Sequence, residues 1–251
     1  MSKQRFYIDT EGSDDEAYRE AMQFACKLAD EDNEITRVVI LVHSKQTTGR
    51  FERLYGRDVE KKLFNGTKFN DCKPLFKFET KKTYNDNYLP SEIVITCGLD
   101  AEDVLKIDDF YSVKAIIAVP WLPDSLQKWV QTWNPTELRG KENTIGEFAN
   151  PSFIVTKAMK DLTRSINLST GIQNSSDNEL AKTYILTLHK FESPLDADIV
   201  GSYLVRELGW HTQYAKDVEK LINTLNDGKY FKGGSRIGLQ QYYKKWKDEC
   251  K

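Results

Sequence analysis

Two short stretches in the first hundred residues carry side chains that could do chemistry. Asp9, Thr10, Glu11, Gly12 and Ser13 follow the apolar run at 5–9 (RFYID), and Thr96, Cys97, Gly98, Leu99 and Asp100 close the run at 92–96 (EIVIT). Carboxylates in such turns can ligate a metal ion or exchange protons as general acid and base, and a site shared by two of them raises one pKa. Asp9, Glu11 and Asp100 are the candidates for those roles, although no reaction is assigned. Hydroxyls and glycine amides at helix N-termini favour an anion instead. Against that, Glu11, Asp14, Asp15, Glu16, Asp100, Glu102 and Asp103 crowd the same turns. Acids this dense repel a bare phosphate unless Mg²⁺ mediates, and they suit a neutral or cationic ligand better. In the plainer reading each acid only complements the dipole of a first helical turn.

The two stretches form one site only if the intervening elements bring them together. Ser13 and Glu16 have the spacing of a capping box, and Ala17, Ala21, Phe24, Ala25 and Leu28 recur at steps of three and four, which predicts a helix over 13–30. The run 36–42 (TRVVILV) is continuous and β-branched, as in a parallel strand covered on both faces. Beyond it, 46–64 is helical with a break near Gly56, and 75–78 (LFKF) is an edge strand. EIVIT leads into a helix near 101–110, and 113–119 (VKAIIAV) closes at Pro120. This alternation predicts an α/β, Rossmann-like parallel sheet of about five strands over residues 1–140. With a strand order of the 3-2-1-4-5 kind, the turns after strands one and four would face each other across the crevice where ligands bind.

Residues 6–29 (FYIDTEGSDDEAYREAMQFACKLA) and 38–44 (VVILVHS) resemble the start of the universal-stress-protein family and its wider HUP-type nucleotide-binding fold. In that family, too, the first strand ends in an aspartate before a Gly-Ser pair and an alanine-faced helix. The resemblance implies a nucleotide-like ligand at the carboxyl edge of the sheet. It also places a glycine-rich phosphate loop after the fourth strand, where this chain has ITCGLDAEDVL, with Gly98 and no further glycine at that spacing.

Past Arg139 the texture changes. The stretch 140–150 is polar with two glycines and reads as a linker, and helical periods follow over 152–166, 176–191, 194–208, 212–225 and 239–247. Ser176 with Glu179 would cap the second, and Pro194 would open the third. Residues 141–251 are thus expected to be an all-α domain of about five helices. Its tail, 228–251, sets seven lysines and arginines against two acids and interleaves Tyr230, Phe231, Tyr242, Tyr243 and Trp246. Such a tail can bind single-stranded nucleic acid, or dock its aromatics while its lysines stay wet. An interaction module for a protein or nucleic acid is therefore the alternative to a small-molecule site.

The remaining features narrow the classes. With 39% hydrophobic and 29% charged residues the composition is that of a globular chain, and a net charge of −2 makes no general case for a polyanionic partner. His43, His189 and His211 lack metal-ligand spacing, and HExxH, GxSxG, GxxxxGK[ST] and GxGxxG do not occur. The segment 119–133 offers Trp121 as an aromatic wall for a ligand. Its stripe of Leu122, Leu126, Trp129 and Trp133 would face the helical domain or, in a homo-oligomer, a second subunit. Cys26, Cys72, Cys97 and Cys250 form no CxxC and are expected to be reduced thiols. No signal-peptide h-region or run of membrane-spanning length is visible, so a cytoplasmic protein with no membrane partner is expected.

Overall fold

A computed structural model describes residues 3–69, 72–140 and 148–249; most of the expected linker, 141–147, lies outside the described residues. The chain separates into two compact units, 1–146 and 147–251.

The first unit is α/β and Rossmann-like. Its sheet comprises β1 (Gln4–Tyr7), β2 (Arg37–Val42), β3 (Leu75–Thr80), β4 (Glu92–Cys97), β5 (Val113–Val119) and a two-residue β6 (Thr136–Glu137). All pairings are parallel, in the order β3-β2-β4-β5-β1-β6. The expected 3-2-1-4-5 order is therefore corrected: β1 lies beyond β5 instead of between β2 and β4. The physical reason lies in strand composition. β2, β4 and β5 are almost wholly buried, as central parallel strands must be, whereas QRFY in β1 is half-exposed and carries Gln4 and Arg5.

Period-two alternation sends Val38, Ile40, Ile93, Ile95, Ala115 and Ile117 to one face, beneath α1 (Asp15–Glu31), α2 (Gly49–Tyr55) and α3 (Arg57–Asn65). Val39, Leu41, Val94, Ile116 and Ala118 point the other way, against α4 (Ala101–Asp108) and α5 (Gln127–Trp133). Asp14, not Ser13, caps α1, accepting from the amides of Glu16 and Ala17 at 3.1 and 3.0 Å. The tryptophan stripe is also corrected: Trp129 is fully buried and Leu126 nearly so, both within this unit's own core, while Leu122 stays 60% exposed.

Asp108, at the end of α4, ties β1 to this second face. Arg5 Nε and Nη2 donate to its two carboxylate oxygens at 2.8 and 2.9 Å, Trp129 Nε1 donates at 2.8 Å, and the Arg5 guanidinium lies 3.6 Å over the Trp133 ring. The expectation of four reduced cysteines is overturned at one pair. Cys26 in α1 and Cys72 before β3 form a disulfide, with Cα atoms 5.4 Å apart; their wide spacing in sequence gave no sign of it.

The second unit holds α6 (Phe153–Ser165), α7 (Ser175–Glu192), α8 (Ala197–Leu208), α9 (Thr212–Asn226) and α10 (Leu239–Asp248). Two predicted starts shift: α7 follows Asn174, and α8 begins at Ala197 with Asp196 as its cap instead of at Pro194. Glu179 caps nothing in α7 and accepts from the Gly234 amide at 2.6 Å.

Replacing Asp108 with alanine leaves Arg5 and Trp129 Nε1 without their shared acceptor. Such a broken buried pair costs roughly 3–5 kcal/mol. Urea unfolding followed by tryptophan fluorescence should show that loss as a lowered midpoint.

Candidate functional site

In a doubly wound sheet the binding crevice opens where neighbouring strands send the chain to opposite faces. β1 leads into α1 on one face and β5 leads into α5 on the other, and the two strands are paired, with Tyr7 opposite Ala118. At their carboxyl ends lies a hollow of about 220 Å³. Tyr7, Asp9 and Thr10 form one wall. The turn after β5 and the start of α5 form the other, with Pro120, Pro123, Asp124, Leu126, Gln127 and Val130. Alternation along β1 puts Arg5, Tyr7 and Asp9 on the α5 side of the sheet.

Burial first, then the negative charges of Asp9 and Glu137, raise the Tyr7 pKa, so its hydroxyl stays protonated at neutral pH. The Asp9 amide donates to Glu137 Oε1 at 3.3 Å. Asp124 holds a left-handed backbone, φ 60°, at the rim. The lining thus offers two carboxylates, a phenol, a hydroxyl and an amide, with no basic side chain. Among the described residues, no three His, Cys, Asp or Glu side chains converge to hold a metal ion.

Of the residues expected to meet at one site, Asp9 and Thr10 line the hollow. Glu11, Gly12 and Ser13 continue the same turn, and the Gly12 amide donates to the Trp121 carbonyl at 2.7 Å. The β4 group does not join them. Because β5 intervenes, β4 stands roughly 10 Å from β1, two strand spacings away. Thr96 is buried on the α4/α5 face, in register with Ala118, and its hydroxyl has no partner. Asp100 caps α4 by accepting from the Asp103 amide at 2.9 Å. Gly98 adopts φ 68°, and a Cβ there would lie 3.3 Å from Trp121 Cβ, so the turn after β4 closes directly against the turn after β5. Trp121 is an aromatic wall for the protein's own Arg50, whose guanidinium lies 4.7 Å from the Trp121 ring and 4.6 Å from that of Tyr18. The shared hollow expected between the turns after β1 and β4 is thereby corrected to one between the turns after β1 and β5.

Pro123, Asp124 and Gln127 were missed. The readable signal was Pro-x-x-Pro-Asp after a buried strand, a turn sequence at a sheet's carboxyl edge.

Three of the seven crowded acids are answered by bases from distant sequence. Arg139 reaches Asp14 at 2.7 Å and Glu20 at 2.8 Å, Arg53 reaches Asp15 at 2.8 Å, and Lys81 reaches Asp103 at 2.6 Å. The hydrogen bond from Arg139 holds the Asp14 carboxyl at about 2, with the Thr10 hydroxyl and the Ala17 amide adding to it and burial opposing it. Cys97 is buried, and burial pushes its thiol up to about 12, which keeps it protonated at neutral pH.

In the helical unit the aromatic tail docks. Trp246 is fully buried against Tyr184 and Tyr242, and Tyr243 stacks on Phe191 with centroids 4.5 Å apart. Asp161 on α6 accepts from Lys245 at 2.9 Å, Tyr184 at 2.9 Å and Trp246 Nε1 at 3.2 Å. Of the tail's aromatics, Tyr230 remains 78% exposed.

The model of a family described as a domain of unknown function (DUF1889) matches residues 151–247, the helical unit and less than half of the chain. No curated protein and no solved structure matches the chain. No helix among the described residues is long and apolar enough to cross a membrane.

Two measurements check the chemistry of these turns. Because folding depresses the Asp14 pKa, its stabilising contribution is complete above the ordinary value of 3.8 and fades as pH falls through about 2. Arg139→Ala should raise the Asp14 pKa in an NMR titration, and its stability deficit should shrink as pH falls over that range. In native protein treated with iodoacetamide, peptide mapping should find Cys97 unmodified, with full labelling after denaturation.

Proposed function

We propose that the α/β unit binds a small polar ligand at the carboxyl edge of its sheet, in the hollow between the turns after β1 and β5. The observation that carries this reading is the coincidence of that hollow with the place where two paired strands diverge to opposite faces. A volume of about 220 Å³ falls below the roughly 300–1,000 Å³ of sites for drug-sized ligands. It suits a sugar, a base or a short-chain compound better than a whole dinucleotide. The nucleotide-like ligand suggested by the resemblance to universal-stress proteins enters on these terms only in part, because the lining supplies no cation for its phosphates. Mg²⁺ would have to accompany a phosphate here. A cytoplasmic site of action is proposed with it, although the Cys26–Cys72 disulfide argues the other way, since reducing compartments seldom retain structural disulfides. The docking of Tyr242, Tyr243 and Trp246 supports the small-molecule reading over a nucleic-acid tail, because the rings a strand would stack on are already engaged.

A thermal-shift screen of nucleosides, sugars, amines and carboxylates, with and without Mg²⁺, tests the reading. A ligand at a hundredfold excess over its Kd should stabilise the unit by about 2.7 kcal/mol, a rise of a few degrees in Tm. Asp9→Ala and Gln127→Ala should abolish the rise and Asp100→Ala should not. The opposite pattern would move the site to the β4 turn and sink the proposal.

A further inference from the structure

We propose that Arg50, with Tyr18 and Trp121, forms a site for the carboxylate of a small organic acid, separate from the hollow between β1 and α5. None of the three lines that hollow. They come from α2, α1 and the turn after β5, and they meet where the Arg50 guanidinium lies 4.6 Å from the Tyr18 ring and 4.7 Å from the Trp121 ring. Four arginines among the described residues are half-buried. Arg5 meets Asp108, Arg37 meets Glu92 and Arg206 meets Glu207. Among the described residues Arg50 meets no carboxylate, and its one hydrogen bond runs from Nη1 to the Tyr18 hydroxyl. Its Nε and Nη2 donate to none of the described residues, yet they are not sealed from water. That edge of a guanidinium is the planar fork that takes both oxygens of a carboxylate.

Tyr18 supplies an independent sign. It is fully buried, and its hydroxyl accepts from Arg50 while its own O–H finds no acceptor among the described residues. Burial above all raises its pKa, so the proton is there to donate. A buried donor without an acceptor is destabilising, and an oxygen lodged beside Arg50 and Tyr18 would answer both groups. The surroundings leave the Arg50 charge uncancelled. Asp14 and Asp15 are close enough to oppose ionisation of Tyr18, but Arg139 and Arg53 hold them, and Cys97, which feels the Arg50 charge, is kept protonated by burial. The same two acids penalise a second negative charge on the guest, which favours a carboxylate over phosphate. Trp121 and Leu122 remain exposed beside the guanidinium and give the apolar part of such an acid a surface to cover.

Acetate and benzoate, with inorganic phosphate and glycerol as controls, are titrated into the full chain at an ionic strength fixed with sodium chloride. The readout is the ¹⁵N–¹H resonances of Arg50 Nε and the Trp121 indole. Both carboxylates should shift these resonances to saturation, benzoate at the lower concentration, and the controls should not. Arg50→Gln should abolish binding, and Arg50→Lys, which keeps the charge and loses the fork, should weaken it roughly tenfold. Tyr18→Phe should weaken it severalfold, whereas Arg57→Gln, an exposed arginine of α3, and Asp9→Ala, in the hollow, should leave it unchanged. Saturating shifts that survive in Arg50→Gln place the anion elsewhere and overturn the site. Phosphate binding more tightly than acetate overturns the assignment to carboxylates. If neither carboxylate saturates the Arg50 and Trp121 resonances of the unmodified chain, the proposal falls, whatever the folding of the variants.

Discussion

The position of β1 depends on a buried carboxylate at the opposite end of the strand from the hollow. Asp108 receives Arg5 through both oxygens and Trp129 through its indole nitrogen, and the Arg5 guanidinium lies over Trp133. A charge this deeply buried is tolerated only when fully partnered, so the three elements that supply the partners cannot move independently. α4, α5 and β1 are thereby locked on one side of the sheet. Two residues further along β1 comes Tyr7, and two beyond that Asp9, both facing α5 because a strand alternates. The hollow is the space left where α5 begins and β1 ends.

The turns after β1 and β4 show how tertiary contacts redistribute charge. Read along the chain, seven acids in two short segments look like an electrostatic trap. In space, Arg139, Arg53 and Lys81 arrive from segments 22 to 125 residues away and neutralise Asp14, Asp15 and Asp103. The same reorganisation closes the β4 turn, where Gly98 packs on Trp121 and Arg50 lies over the Trp121 ring, which stays 41% exposed. At the hollow, Asp9 and Asp124 contribute two carboxylates to the lining. The helical unit follows a similar rule by separate means: Asp161 gathers Tyr184, Lys245 and Trp246, so that α10 docks by its aromatic side while most of its lysines remain in water.

The elements themselves were largely legible. TRVVILV, EIVIT and VKAIIAV announce buried strands by continuous apolar character, Gly56 marks the break between α2 and α3, and Gly209 ends α8 in a left-handed cap. The caps were less so, because Asp14 and Ser13, or Asn174 and Ser176, are equally good caps within two residues of each other. The candidate site was half legible: Asp9 and Thr10 line the hollow, whereas Thr96, Gly98 and Asp100 do not. Arg5 within RFYID was the overlooked sign, since a charged residue in a short strand argues against the centre of a parallel sheet.

Local periodicity and turn chemistry, which act over a few residues, determined that this chain makes a parallel α/β unit followed by five helices. Strand order, the Cys26–Cys72 bridge and the partners of each buried or crowded charge were decided only in three dimensions. They depend on pairings between segments dozens of residues apart, and the spacing of residues along a chain carries no record of which distant charge or thiol will be next to them once it has folded.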